Sequence, residues 1–289
     1  MAATIAVTGA TGALGGRVAA NLAARGVPQR LIVRDAGRAP RLPGAELAIA
    51  AGYADVDAMT AALRGIETLF LVSGREAPGR VAEHTSAIDA ALAAGVRRIV
   101  YVSFLNAAPD ATFTLARDHS ATEAYIRARG VAFTFLQDSL YLDFIPLMTS
   151  PDGVIAGPAG DGVVACVARA DIADVATDVL TGDTHDGRTY RLTGPEAFSL
   201  SQAADALTAV SGRTIVYRNE SIEEAYASRA VYDAPAFEVK GWVTSYVAIA
   251  NGELATVTND VFEVIGRRPQ SLAEFLASDP ASYAHLRRA

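Results

Sequence analysis

The chain predicts an α/β fold class: a doubly wound parallel sheet with a smaller C-terminal mixed α/β cap. Three observations carry that expectation. Apolar runs alternate with amphipathic helical stretches from residue 4 to about residue 140. The runs are continuous rather than alternating in polarity, as parallel strands covered on both faces require. A glycine-rich turn joins the first run to the first helical stretch. Strand–helix–strand repetition of this kind closes through right-handed crossovers.

In order, the strand-like runs fall at 4–8, 30–34, 46–50, 68–72, 98–103 and 132–137, with helical segments near 13–25, 56–64, 80–94 and 117–129. In the first helix Leu14, Val18 and Leu22 recur every four residues on one face, and Gly26 stands where a C-terminal cap belongs. The pattern changes after about residue 140. Segment 150–163 is rich in Gly and Pro and reads as loops. Asp171 begins a helix, and 189–193 reads as one more buried strand returning to the main sheet. Ser199 or Ser201 caps a helix running to about Val210. The tail from Ser221 is mostly helical and carries Tyr226, Tyr232, Phe237, Trp242 and Tyr246, which either wall a pocket for a flat ligand or form the cap's own core. The expected division is 1–140 and 141–289.

With 289 residues the chain has room for one large domain or two small ones. No stretch reaches the roughly 20 continuous apolar residues of a membrane helix. No charged segment precedes an apolar one at the start, so no secretory signal is expected. Cys166, the single cysteine, leaves no internal disulfide framework and fits a reducing, cytoplasmic compartment. It sits in the apolar run 163–167 and reads as a small core residue. A formal net charge of -7 argues against a nucleic-acid surface.

Thr8-Gly9-Ala10-Thr11-Gly12-Ala13-Leu14-Gly15 lies between the first strand and the first helix, with GxxGxxG spacing. A glycine in the turn accepts positive φ, and absent side chains let backbone approach a pyrophosphate. The helix N-terminus beyond offers amide groups and the positive end of its dipole. A glycine turn alone is a weak signal; strand before and helix after make it a dinucleotide-binding, Rossmann-type unit. The end of the second strand chooses between cofactors, because an acid there holds a ribose hydroxyl whereas an arginine accommodates a 2′-phosphate. Arg34 follows Leu31-Ile32-Val33, with Asp35 next and Arg38 close behind. A guanidinium grips phosphate bidentately, which points to NADP(H). The alternative has Asp35 on the ribose and Arg34 solvated.

These residues resemble a known family. Val7-Thr8-Gly9-Ala10-Thr11-Gly12, Val33-Arg34-Asp35, Gly52-Tyr53-Ala54-Asp55, Phe70-Leu71-Val72-Ser73, Tyr101-Val102-Ser103, His119-Ser120-Ala121-Thr122-Glu123 and Leu136-Gln137-Asp138-Ser139-Leu140-Tyr141 look like the NmrA-like branch of atypical short-chain dehydrogenases/reductases. Within it the chain is most similar to type 2 NAD(P)H:quinone oxidoreductases and triphenylmethane-dye reductases. The resemblance spans the chain and implies a pyrophosphate loop at Thr8, Gly9, Thr11, Gly12, Ala13, Leu14 and Gly15. It implies a 2′-phosphate contact at Arg34 with Arg38 nearby, and a ribose and nicotinamide lining at Val72, Ser73 and Gly74. It further implies Ser103 and Phe104 beneath the nicotinamide, with Gln137 and Ser139 after the sixth strand. Two departures stand out: related reductases often carry Asp where this chain has Gly52, and usually Arg-Asn where it has Gln137-Asp138.

The wider superfamily uses a Tyr-x-x-x-Lys pair, in which lysine lowers the pKa of a proton-donating tyrosine. None of the ten tyrosines has that partner, because Lys240 is the sole lysine and Ala236 precedes it at that spacing. Acceptors that stabilise their own developing charge, such as quinones or delocalised dyes, need orientation more than an acid. His119 and Tyr141 are the candidate catalytic side chains, each either supplying a polar group or shaping the pocket. His84, His185 and His285 lack metal-ligand spacing, and no GxSxG motif occurs. The expectation is an NADPH-dependent reductase of quinones or similar electron-poor aromatic or conjugated small molecules, acting as a monomer or homodimer. The rival is a non-catalytic NADP(H) sensor that signals through a protein partner.

Overall fold

The computed structural model describes residues 3–287. Its central sheet is seven-stranded: β1 (Ile5–Thr8), β2 (Gln29–Val33), β3 (Ala45–Ile49), β4 (Thr68–Leu71), β5 (Arg98–Phe104), β6 (Ala132–Asp138) and, numbered below in chain order, β9 (Arg188–Leu192). The spatial order is β3-β2-β1-β4-β5-β6-β9. The β1–β2, β1–β4, β2–β3 and β4–β5 pairs are parallel. The order reverses direction at β1, between β2 and β4, which is where open α/β sheets bind ligands. The intervening helices are α1 (Ala13–Ala24), α2 (Val56–Leu63), α3 (Arg80–Ala93) and α4 (Thr114–Ala128).

Each of the six early strands and four early helices matches its sequence expectation to within a few residues. Local pattern explains the agreement. β1 is buried along its whole length, and α1 turns Leu14, Val18 and Leu22 inward. Gly26 adopts φ +69° just past α1, the left-handed conformation its place required. Asp55 caps α2 by accepting from Ala58 N at 3.1 Å.

Two strands correct the expectation of burial on both faces. β3 is a sheet edge, and Leu47 and Ile49 are 49% and 59% exposed. β9 is the opposite edge and is largely exposed up to Leu192. An apolar run reports strand propensity; it does not report whether a neighbouring strand or helix covers it.

The remaining elements are β7 (Val154–Gly157), β8 (Val163–Val164), α5 (Arg169–Thr181), β10 (Phe198–Ser199), α6 (Leu200–Ser211), β11 (Val216–Asn219), α7 (Ile222–Arg229), α8 (Ala236–Ala250), α9 (Asp260–Ile265) and α10 (Leu272–Ser278). β7 lies in the stretch expected to be loops, and β8 opens the apolar run 163–167. β7 pairs in parallel with β11, and β8 pairs antiparallel with β10. Ser199, rather than Ser201, caps α6, through a capping box with Gln202. Cys166 lies just beyond β8 and is buried, with burial pushing its thiol pKa up. Of the five tail aromatics named above, only Tyr246 is a core residue, packed on Gly157, where any Cβ would overlap its ring. Tyr226, Tyr232 and Phe237 are exposed.

The chain divides into two compact units. The first holds the residues up to Pro109, Asp118–Gln137 and Ala170–Tyr190; the second holds Asp110–Arg117, Asp138–Arg169 and the chain from Arg191 onward. Helix α5, which lies beyond residue 140, therefore belongs with the central sheet. Asn21 donates to Asp174 at 2.9 Å, and Arg98 donates to Val179 O at 2.9 Å and Gly182 O at 3.0 Å. Among the described residues no helix is long and apolar enough to cross a membrane.

The turn after β1 depends on Gly15. A Cβ there would overlap the Gly9 carbonyl and lie 2.7 Å from Thr8 O. Gly15→Ala should therefore push α1 off the turn and destabilise the protein by about 1–3 kcal/mol. Denaturant unfolding checks this, and an unchanged midpoint would contradict it.

Candidate functional site

A cavity of about 780 Å³ opens at the switch point of the sheet. Its walls come from the ends of successive strands. β1 and its turn contribute Thr8, Gly9 and Thr11; β2 contributes Ile32, Val33 and Arg34. The loop after β3 supplies residues 50–55, α2 supplies Met59, and the loop after β4 supplies Val72, Ser73, Gly74 and Arg75. Glu83 reaches it from the first turn of α3.

The glycine turn is built for close approach. Gly9 has φ +64°, and a Cβ on it would sit 3.2 Å from Val72 Cβ. Gly12 is the N-cap of α1 and supplies no side-chain cap to the helix. A helix start that follows a glycine turn and carries no side-chain cap is a site for an anion.

Thr8 ties this turn to its neighbours. Its hydroxyl donates to Phe70 O at 3.0 Å and accepts from Val72 N at 2.9 Å. Tyr53 OH lies 2.8 Å from Thr8 Oγ1 and 2.5 Å from Val72 O. Burial pushes the Tyr53 pKa up to about 12, so its hydroxyl keeps its proton and remains a donor.

At the rim, Arg34 is exposed and forms no side-chain hydrogen bond or ion pair among the described residues. Asp35 accepts from Gly37 N at 2.8 Å, which engages its carboxylate in the turn Ala36–Arg38. Arg38 is exposed in that turn and does not line the cavity.

Next to the cavity lies a buried polar cluster. Arg80, at the start of α3, donates through Nε to Gly74 O at 2.9 Å and lies with Nη2 3.0 Å from His119 Nε2. A guanidinium can only donate, so His119 Nε2 accepts and Nδ1 carries the proton. That Nδ1–H points to Tyr101 OH at 2.9 Å. His84 Nε2 accepts from Gly74 N at 2.8 Å, leaving its Nδ1–H for Thr122 Oγ1 at 2.9 Å. Gly74 is thus held by both its amide and its carbonyl. Burial first, and the Arg80 charge second, lower the His84 pKa to about 3. The same causes, with His84 added, hold His119 well below the usual histidine range.

The other sequence candidates lie outside this cavity. Ala13, Leu14 and Gly15 form the first turn of α1, with Leu14 and Gly15 buried. Ser103 is fully buried and donates to Glu123 Oε1 at 2.6 Å; Gln137 Nε2 donates to the same oxygen at 2.9 Å. Phe104 packs near His119, with ring centroids 6.3 Å apart. Ser139 is buried, and its amide donates to Leu192 O at 3.0 Å. Tyr141 OH donates to Asp138 Oδ2 at 2.7 Å, and burial and then the Asp138 charge hold its pKa well above the usual range. Arg169 lies over the Tyr141 ring, 4.7 Å from its centroid.

Sequence reading missed Arg75, Arg80 and Glu83, set aside His84, and gave Tyr53 no separate role. Arg80 and His84 are spaced i,i+4 on the helix that follows β4, a signal that places both on one face.

Residues 9–183 match a family model described as NAD(P)H-binding. The chain is 35% identical over 278 residues to quinone oxidoreductase 2 of Escherichia coli (strain K12), covering 93% of this chain and 96% of that protein. It is 30% identical over 283 residues to the NAD(P)H azoreductase of Xenophilus azovorans, covering 96% and 99%. The crystal structure of the Escherichia coli NADPH-dependent quinone oxidoreductase complexed with NADPH superposes with a TM-score of 0.87 at 34% identity, covering 95% of this chain and 99% of that one. The Citrobacter sp. triphenylmethane reductase complexed with NADP(H) superposes at 0.84 with 31% identity, covering 95% and 99%.

The two buried histidines yield a pH dependence. Both are neutral in the fold, whereas unfolded histidines take up protons below about pH 6.5. Folded-state values lie below the unfolded one, so stability is full above about pH 6.5 and is lost as pH falls towards about 3. The slope is up to roughly 1.4 kcal/mol per histidine per pH unit. Denaturant midpoints measured down to about pH 4.5 should fall, and His84→Asn should flatten the profile; a native profile flat over that range would contradict the assignment.

Proposed function

The chain belongs to the NAD(P)H-binding family, and from that premise we propose that it is an NADPH-dependent oxidoreductase. Its acceptors are quinones or similar electron-poor aromatic or conjugated molecules. The observation that carries this reading is the cavity at the β1 switch point, lined by Thr8, Gly9 and Thr11 of the glycine turn and by Arg34, with the start of α1 directly after that turn. Relatives named as quinone, azo-dye and triphenylmethane-dye reductases, at 30–35% identity over nearly the whole chain, support the acceptor class.

The choice of NADPH follows from Arg34 and Asp35. Arg34 lines the cavity with no side-chain partner among the described residues, whereas Asp35 does not line it, which favours a 2′-phosphate over a bare ribose. The bound nicotinamide would supply the hydride. The protein supplies position. Arg80 and His84 fix Gly74, and Val72 and Ser73 precede it along the same wall. In this reading Ser103, Phe104, Gln137 and Ser139 would contribute to the nicotinamide side.

His119 shapes the site rather than donating a proton, since its Nε2 faces Arg80 and its Nδ1–H faces Tyr101. Tyr141 serves as an aromatic wall, with its hydroxyl proton directed to Asp138. No tyrosine has a lysine four residues on, so acceptors that delocalise their own charge suit the site best. Residues 1–140 would provide most of the cofactor site and 141–289 most of the substrate site. The proposal includes a cytoplasmic monomer or homodimer with no nucleic-acid partner.

Loss of reduced-nicotinamide absorbance with a panel of quinones and simple ketones tests the reading. Quinones should be reduced and unactivated ketones should not. Arg34→Ala should weaken NADPH binding about ten- to a hundredfold while sparing NADH. Robust ketone reduction, equal native affinity for both cofactors, or NADPH binding without turnover on any acceptor would each refute it; the last outcome is the behaviour of a sensor.

A further inference from the structure

The cavity contains a carboxylate that the proposed function does not use. Glu83 lines it from the first turn of α3, half-buried, with no side-chain hydrogen bond or ion pair among the described residues. Three of the polar groups that share the cavity are engaged among the described residues. Thr8 and Tyr53 bond to each other and to β4, and Asp55 caps α2. Position 52 offers nothing, since it is glycine and a Cβ there would meet no atom within 4 Å. Glu83, Arg34 and Tyr53 all line this cavity.

A carboxylate in a site for a ligand rich in phosphates is unfavourable unless it meets a donor. The adenosine half of a dinucleotide offers such a donor on its base, the exocyclic amine of adenine. The adjoining walls suit a flat purine, being formed by Ile32, Ala50 and Met59, all buried and apolar.

We propose that Glu83 reads the adenine base, its carboxylate accepting from the exocyclic amine across the open space left by Gly52. The inference rests on the NADP(H) reading of the cavity. The simpler role for Glu83, an acid favouring the N-terminal end of the α3 dipole, needs no ligand and leaves base preference untouched.

Direct binding separates the two. Dissociation constants for NADPH and its deamino analogue, in which a hypoxanthine carbonyl replaces the amine, are measured by calorimetry on the native protein, Glu83→Gln and Arg34→Ala. The native protein should favour NADPH by about ten- to a hundredfold, the range of one hydrogen bond to a charged group. Glu83→Gln should lose most of that preference, because an amide accepts from the amine and also donates to the carbonyl. Arg34→Ala should weaken both ligands and keep their ratio. Equal native affinities, or a native ratio retained in Glu83→Gln, overturn the inference alone. Failure of the native protein to bind NADPH overturns the cofactor reading and the inference with it.

Discussion

The hydroxyl of Thr8 is the constraint on which the site depends. One buried oxygen donates to Phe70 O, accepts from Val72 N and meets Tyr53 OH. It therefore joins the end of β1, the end of β4 and the loop after β3. The glycine turn leaves β1 one residue later, so its position is set by a side chain that points into protein. Gly9 can then approach Val72, and Gly15 can pack against the Gly9 carbonyl. Backbone conformation at the turn, close helix packing and the loop from β4 are consequences of one anchored strand end.

A second layer extends the same logic. Gly74 follows β4 by three residues, and its amide and carbonyl would be hard to satisfy by sheet pairing at that point. Arg80 and His84 from α3 satisfy both. His119 and Tyr101 continue the network into α4 and β5. Buried polar groups of this kind are stable only when each has a partner, and the assigned tautomers give both histidines one on each ring nitrogen. The cost is acid sensitivity, since neutral buried histidines favour folding only while unfolded ones are also unprotonated.

Much of this was legible in the sequence because it is local. Gly9, Gly12 and Gly15 lie between a strand and a helix, and the strand run and helical period are read from adjacent residues. Arg34 was legible for the same reason, as the residue just past β2. What escaped is non-local. β7 lies in a Gly- and Pro-rich stretch and becomes a strand only by pairing with β11, some sixty residues on. Leu47 and Ile49 read as buried because nothing in a single run marks a sheet edge. Arg80, Glu83 and His84 look like the polar face of a helix, and only the free backbone of Gly74 and the open cavity beside it give them work. His119 was visible as a candidate, but its Arg80 and Tyr101 partners were not.

The most direct test is the affinity of Thr8→Val for NADPH. Valine keeps the shape of threonine and its β-branch while removing the oxygen that joins the three segments. If that oxygen organises the cradle, the variant should fold with unchanged secondary structure and bind NADPH at least about tenfold more weakly than the native protein. A folded Thr8→Val protein with native affinity would show that the turn holds its shape without the anchor, and would contradict the account.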